Sequence, residues 1–302
     1  MKQVKLGEIR PLSFVLIATV IVGGFAFGFF SWIISARPEE LPPINEDANS
    51  PPPPATPELT PTPSAPVIEQ VELNAAAAYL LDGKTLYEFR ADKRWPIASV
   101  TKLMTAFVAR ELMFEDEVIV ITPEAVAATG AAGGFSAYET YRLSELEKAM
   151  LTVSSNDAAL AITLHWGEAD FVKEMNRQAA ILGMNETNFS DSTGISLQNR
   201  STALDLFRLV KFIWEEEPEI FEITRRPSVA ITDELGRSRI LKNINIFAGR
   251  ADFLGGKTGS LPEAHGNLVS IFSLPNQTSP VIIVVLGAAD RFEETKEILA
   301  KL

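Results

Sequence analysis

The run PIASVTKLMTAFVARE occupies residues 96–111. Pro96 and Ala98 precede a stretch of good helix formers, so a helix is predicted to begin around Ser99. Ser99 and Lys102 are three residues apart and therefore share one helix face. A serine hydroxyl is a weak nucleophile until a base takes its proton. Lysine serves as that base only where burial or a second cation lowers its pKa. The N-terminus of a helix also stabilises negative charge that develops beside the serine. Taken alone, the S-x-x-K pattern equally suits a capping serine and a solvated lysine.

Two further clusters change that balance. Ser154-Ser155-Asn156 lies between the apolar helix ELEKAMLTV and a second helix, DAALAIT. Polar side chains at such a junction can face a cleft. Ser154 could relay a proton from Lys102 to a leaving group, and Asn156 could hydrogen-bond a substrate amide. The competing reading has Asn156 or Asp157 simply capping the next helix. Lys257-Thr258-Gly259-Ser260 follows Gly255-Gly256 and opens a β-rich run. Gly259 would let a substrate backbone come close to the strand. Lys257 and Thr258 suit a carboxylate, and Lys257 could help depress the pKa of Lys102. The competing reading is an exposed edge strand with a solubilising lysine.

Around these clusters the chain has a recognisable order. AAAAYLLDGKTLYEF reads as two strands joined at Asp82-Gly83. Ser99 to about Trp214 is predicted mostly helical, with Ser144 to Glu147 as a capping box. GNLVSIFSL and VIIVVLGAA then read as strands separated at Pro275-Asn276, and a last helix covers about Phe292 to Leu302. Strands at both ends with helices between predict a mainly antiparallel sheet built from the two ends of the chain. The absence of regular β-α-β alternation argues against a doubly wound parallel sheet.

The N-terminal part is of another kind. Residues 12–35 carry no charge and as a helix would span roughly 36 Å, enough for a bilayer. Lys2, Lys5 and Arg10 precede them, which predicts a cytoplasmic N-terminus at 1–11 and an extracytoplasmic remainder. Residues 36–70 hold eleven prolines, a composition that builds no core and favours extended, disordered chain. The expected organisation is thus a cytoplasmic end (1–11), a membrane anchor (12–35), a Pro-rich linker (36–70) and a catalytic domain (71–302). The net charge of −12 argues against nucleic acid as a partner. With no cysteine, thiolate catalysis and Cys-ligated metals are excluded. His165 and His265 are the only histidines and stand in no metal-binding spacing, so no metal or organic cofactor is expected.

S-x-x-K, S-x-N and K-T-G occur here in the order found in penicillin-binding proteins and class A β-lactamases. Together with YLLDGKTLYEFRADKRWPIASVTKLMTA, FVKEMNRQAAILGMNETNF, DSTGIS and STALDLFRLV, they make residues 77–300 resemble the D-alanyl-D-alanine carboxypeptidase family of low-molecular-weight penicillin-binding proteins. That resemblance implies an α/β (α+β) penicillin-recognising, serine β-lactamase-like fold, an antiparallel sheet packed with helices. It implies that Ser99 attacks the carbonyl between two terminal D-alanines of a peptidoglycan stem peptide, with Lys102 as base. Backbone N–H groups of Ser99 and Ser260 would hold the oxyanion. Ser154 and Lys102 would pass a proton to the departing D-Ala, while Lys257 and Thr258 hold its carboxylate. Arg291 falls near a family arginine that supports the same carboxylate. β-Lactams would acylate Ser99 covalently. The implied location is the bacterial cell membrane, single-pass.

The sequence departs from the family after K-T-G, where Leu261 stands in place of a threonine and His265 is inserted before Gly266. The C-terminal β-rich domain and amphipathic anchor of many members have no counterpart after Gly259, so the N-terminal helix is expected to take over anchoring. A D,D-endopeptidase that cuts cross-links is the main alternative. A β-lactamase is disfavoured because no E-x-x-L-N segment is present. A non-catalytic wall- or β-lactam-binding module would not need both nucleophile and base.

Overall fold

The computed structural model describes residues 73–130 and 132–302. The N-terminal end, the expected membrane helix and the Pro-rich linker lie outside the described residues. Among the described residues no helix is long and apolar enough to cross a membrane.

A hairpin of β1 (Ala75–Leu80) and β2 (Thr85–Phe89) turns at Asp82-Gly83, as predicted. Gly83 sits at φ 95°, a left-handed conformation that glycine adopts without steric cost. β3 (Trp95–Pro96) leads into a 3₁₀ turn, Ala98–Thr101, and then α1 (Lys102–Leu112). The α-helix therefore starts at the lysine, and the serine rides on the tighter turn before it. A mixed segment follows: β4 (Val118–Val120), α2 (Pro123–Val126), β5 (Thr140–Arg142), α3 (Leu143–Thr152), α4 (Asn156–Trp166) and α5 (Glu168–Ile181). Then come β6 (Arg200–Ser201), α6 (Ala203–Glu216), α7 (Glu219–Thr224) and the hairpin β7 (Ser228–Thr232) with β8 (Ser238–Lys242). β9 (Phe253–Leu261), β10 (His265–Phe272), β11 (Val281–Ala288) and α8 (Arg291–Lys301) close the chain.

The main sheet has the order β2-β1-β11-β10-β9, and every pairing is antiparallel. The two ends of the chain thus meet at the β1–β11 seam. Both strands are buried along their whole length, which explains why AAAAYL and VIIVVLGA read as continuous apolar runs. Side chains alternate between two cores. Ala77, Tyr79, Ile282 and Val284 face the helices with Met104, Phe107 and Leu206. Ala76, Ala78, Ile283 and Val285 face the opposite side, where Ile298 of α8 and the Phe247, Phe253 and Phe272 rings cover them.

One local expectation fails. The Ser144 to Glu147 capping box does not form, because α3 begins two residues earlier and its N-cap, Arg142, makes no side-chain cap. Glu147 is instead buried against the Arg110 guanidinium, with Nε at 3.0 Å, and Glu145 accepts from the Thr232 N–H at 2.8 Å. Tertiary partners outcompete the local cap because a buried carboxylate must be paired. The last helix forms where expected, over Arg291–Lys301, with the Asp290 carboxylate accepting from the N–H groups of Phe292 and Glu293.

Ile283 is fully buried in the central strand. Ile283→Ala should lower the unfolding free energy by about 2–5 kcal/mol. Lys296→Ala on the exposed face of α8 should stay within about 0.5 kcal/mol. Urea unfolding followed by circular dichroism reads both, and equal effects would contradict the buried-seam assignment.

Candidate active site

The segment carrying Ser99 is held by close backbone packing from two sides. Ala98 adopts φ 49°, an uncommon conformation for a residue with a Cβ. Such strain persists only where the surroundings over-determine it. Here they do. A Cβ on Gly194 would lie 2.1 Å from the Ala98 carbonyl oxygen and 2.9 Å from the Ser99 nitrogen. A Cβ on Gly259 would lie 2.7 Å from the Ile97 oxygen and 3.1 Å from the Ser99 nitrogen. Neither position accepts a side chain, so the 190–199 loop and β9 both press directly on the turn. The predicted role of Gly259 in admitting a substrate backbone is therefore joined by a second one, admitting the serine's own turn.

Lys102, the first residue of α1, is fully buried. Its ammonium donates to Ser99 Oγ at 3.0 Å, to Asn156 Oδ1 at 2.5 Å and to the Thr193 carbonyl. Burial brings its pKa down to about 7, although the carboxylates of Asp191 and Asp157 pull the other way. Burial dominates because the charged amine loses water that three acceptors only partly replace. The repulsion between Lys102 and Lys257 is mutual, so each disfavours the charged form of the other. Lys257 is held well below the usual lysine range, first by burial and then by the charges of Lys102 and Arg291.

Ser154 follows α3 with φ 59° and precedes α4. The cap of α4 is neither Asn156 nor Asp157 but Ser155, whose Oγ accepts from the Ala158 N–H at 3.0 Å. Asn156 is thereby free to bridge. Its Oδ1 accepts from Lys102, and its Nδ2 donates to the Thr129 carbonyl at 2.6 Å. Lys257 donates to Ser154 Oγ at 2.9 Å and to the Thr258 carbonyl at 2.8 Å. Ser154 is thus tied to Lys257, not to Lys102 as its relay role would suggest. Thr258 is buried on β9, and Ser260 lies exposed two residues on. Arg291 opens α8, and its Nη1 approaches the Gly259 carbonyl at 3.5 Å. Its Nε is buried without a partner, and burial holds its pKa below the usual value. The fold brings all nine predicted residues into one neighbourhood.

The sequence reading missed the wall opposite β9. The Asp191 carboxylate accepts from the Thr193 N–H and hydroxyl at 2.7 Å each, the Gly194 N–H at 2.6 Å and the Ser196 N–H at 2.8 Å. Asn199 ties this loop to the serine turn by donating to Thr101 Oγ1 at 3.1 Å. The loop in turn delivers the Thr193 carbonyl to Lys102. A turn signal is visible in Asp191-Ser192-Thr193-Gly194, but a backbone carbonyl as functional group has no signature in side-chain identities. Among the described residues no group of three or more His, Asp and Glu side chains is placed to hold a metal ion. The arrangement supplies a hydroxyl beside an amine that titrates near neutrality, and a cationic wall of Lys257 and Arg291.

The family model for D-alanyl-D-alanine carboxypeptidases matches residues 62–290. A D-alanyl-D-alanine endopeptidase of Pseudomonas aeruginosa is 33% identical over 255 residues, covering 77% of this chain and 77% of the relative. The D-alanyl-D-alanine carboxypeptidase DacC of Escherichia coli is 29% identical over 254 residues, covering 77% of this chain and 62% of the relative. In structure, the chain is similar to penicillin-binding protein D2 from Listeria monocytogenes in its ampicillin-bound form. The TM-score is 0.67 at 34% identity, over 76% of this chain and 96% of that one.

A base must be unprotonated to act, so the amine of Lys102 is inactive below about pH 7 and active above it. The rate at which an activated ester acylates Ser99 should rise about tenfold per pH unit below 7 and level off above it. Stopped-flow acylation at constant ionic strength measures this. A midpoint near that of an ordinary lysine would refute the buried-base assignment.

Proposed function

The chain belongs to the D-alanyl-D-alanine carboxypeptidase family of serine peptidases, and from that footing we propose that it trims the terminal D-Ala from peptidoglycan stem pentapeptides through an acyl-enzyme on Ser99. The observation that carries this reading is the Lys102 amine, fully buried, 3.0 Å from Ser99 Oγ and titrating at about 7. Ser99 Oγ attacks the carbonyl of the penultimate D-Ala while Lys102 takes its proton. The oxyanion is met by the N–H groups of Ser99 and of Ser260, the residue after Gly259, which packs on the Ser99 turn. As the C–N bond breaks, Lys102 returns the proton to the departing amine, with Asn156 keeping the Lys102 amine in position and Lys257 orienting the Ser154 hydroxyl. Lys257 and Thr258 hold the D-Ala carboxylate, with Arg291 behind them. Water then adds its hydroxyl to the acyl carbon and its proton to Ser99 Oγ. β-Lactams occupy the same site and acylate Ser99. The reaction as written uses no cofactor.

A second reading, cleavage of cross-links between stem peptides, is favoured by one observation. The relative from Pseudomonas aeruginosa that shares 77% of each chain carries the name endopeptidase. A further proposal concerns location. The uncharged residues 12–35, flanked by Lys2, Lys5 and Arg10, anchor the chain in the bacterial cell membrane, with the catalytic domain outside on the Pro-rich linker.

Incubation with purified pentapeptide, followed by mass spectrometry, should show loss of one alanine. Ser99→Ala should reduce that rate on the order of 10⁴-fold or more, and a fluorescent penicillin should label only the serine enzyme. Activity retained by Ser99→Ala would overturn the mechanism.

A further inference from the structure

The loop that brings the Thr193 carbonyl to Lys102 also walls an open cavity of about 310 Å³, a volume in the range of small-molecule sites. Ala128, Leu160 and Ile195 give it chiefly apolar walls, and Glu168 lines it as well. The cavity is continuous with the site already described through two of these residues. Leu160 stands four residues after Asn156 on α4, on the same helix face and one turn, roughly 5.4 Å, further along. Helix side chains lean towards the N-terminus, so Leu160 leans towards Asn156. Ala128 directly precedes Thr129, whose carbonyl accepts from Asn156 Nδ2 at 2.6 Å.

Two carboxylates border this cavity, and they are not equivalent. Asp191 is occupied, since its oxygens accept from the N–H groups of Thr193, Gly194 and Ser196 in its own loop. Glu168, the first residue of α5, is exposed. The basic side chains nearest to it in sequence, His165, Lys173 and Arg177, are taken by Glu117, Asp170 and Glu174, and Glu168 has no ion-pair partner among the described residues. The N-terminus of α5 favours a carboxylate at this position on its own account, but that leaves the apolar walls beside it unexplained. An acidic group next to apolar walls suits a ligand that is aliphatic along its length and cationic at its end, as a lysine side chain is.

The reading above sends the departing D-Ala and its carboxylate towards Lys257 on β9 and Arg291 on α8, so the acyl part of the substrate runs out past the opposite wall. The residue before the acylated D-Ala has its Cα about 3.8 Å from that of the D-Ala, and its side chain is what extends a further helical turn. We propose that the cavity is an acyl-side subsite for that side chain, an aliphatic chain ending in a free amine, with Ala128, Leu160 and Ile195 taking the methylenes and Glu168 the ammonium. An amine already joined to another group in an amide has no charge to offer Glu168, so the subsite selects stems whose side-chain amine is free. This inference rests on the acyl-enzyme reading above and adds to it the recognition of the acyl chain.

The test uses the full chain in detergent and a pair of synthetic peptides ending in D-Ala-D-Ala, one with L-lysine before the D-alanines and the other with Nε-acetyl-L-lysine. Both carry the aliphatic chain, and only the first carries the charge. Fluorescent-penicillin labelling reports an intact Ser99 site. The wild type should favour the lysine peptide in kcat/KM about two- to fivefold, the range of an exposed ion pair. That preference should shrink as ionic strength rises. Glu168→Gln should abolish it, and Glu168→Lys should turn it in favour of the acetylated peptide, with penicillin labelling retained in both. A merely structural role for Glu168 would slow both peptides together and leave their ratio in place. Labelled wild type that cleaves the peptides equally, or a preference that survives in both labelled variants, overturns the subsite and leaves the acyl-enzyme reading standing. Wild type that neither labels nor cleaves either peptide overturns that reading itself.

Discussion

The amine of Lys102 is the point on which the rest of the structure converges. A lysine removed from water must find acceptors or give up its proton. Here it finds three, from three parts of the chain: Ser99 on its own turn, Asn156 at the head of α4, and the Thr193 carbonyl from the loop before β6. Each acceptor depends on its own supports. Asn156 is held through Thr129, and Thr193 through the Asp191 carboxylate. Loss of any one would leave a buried charge short of a partner, so the geometry of the site and the stability of its walls are the same matter.

The strained residues are where these walls meet. Ala98 and Ser154 both hold left-handed conformations without being glycine, and they precede Ser99 and Asn156 respectively. Where the walls press on the serine turn, at 194 and 259, the chain does use glycine.

Electrostatically the site opposes the rest of the molecule. The chain carries a net charge of −12, yet Lys102, Lys257 and Arg291 stand close enough for Lys257 to feel both of the others. At physiological ionic strength fields fade over about 8 Å, so an anionic substrate responds to this local cluster rather than to the distant acidic surface. Burial supplies the specificity, because a poorly hydrated cation gains most from a carboxylate that replaces its missing water.

The sequence alone determined the candidate site residues and the outline of the fold. Ser99, Lys102, Ser154, Asn156 and Lys257 were legible as a candidate site because nucleophile, base and hydrogen-bonding side chains fall there in ordered motifs. The sheet closed from both ends of the chain was legible because strands buried on both faces must be apolar throughout. Only the tertiary structure decided what depends on partners distant in the chain. The Thr193 carbonyl belongs to the backbone and has no residue identity to betray it. The Ser144 to Glu147 cap was locally sound and lost to Arg110, which no local rule could foresee. Ser154 met Lys257 rather than Lys102 because β9 runs beside the α3–α4 junction. His265 could be noted as an insertion, but its place on Trp95 and beside Arg291 came from the hairpin. A side chain's type sets what it can do, and the packing of remote segments sets what it is next to.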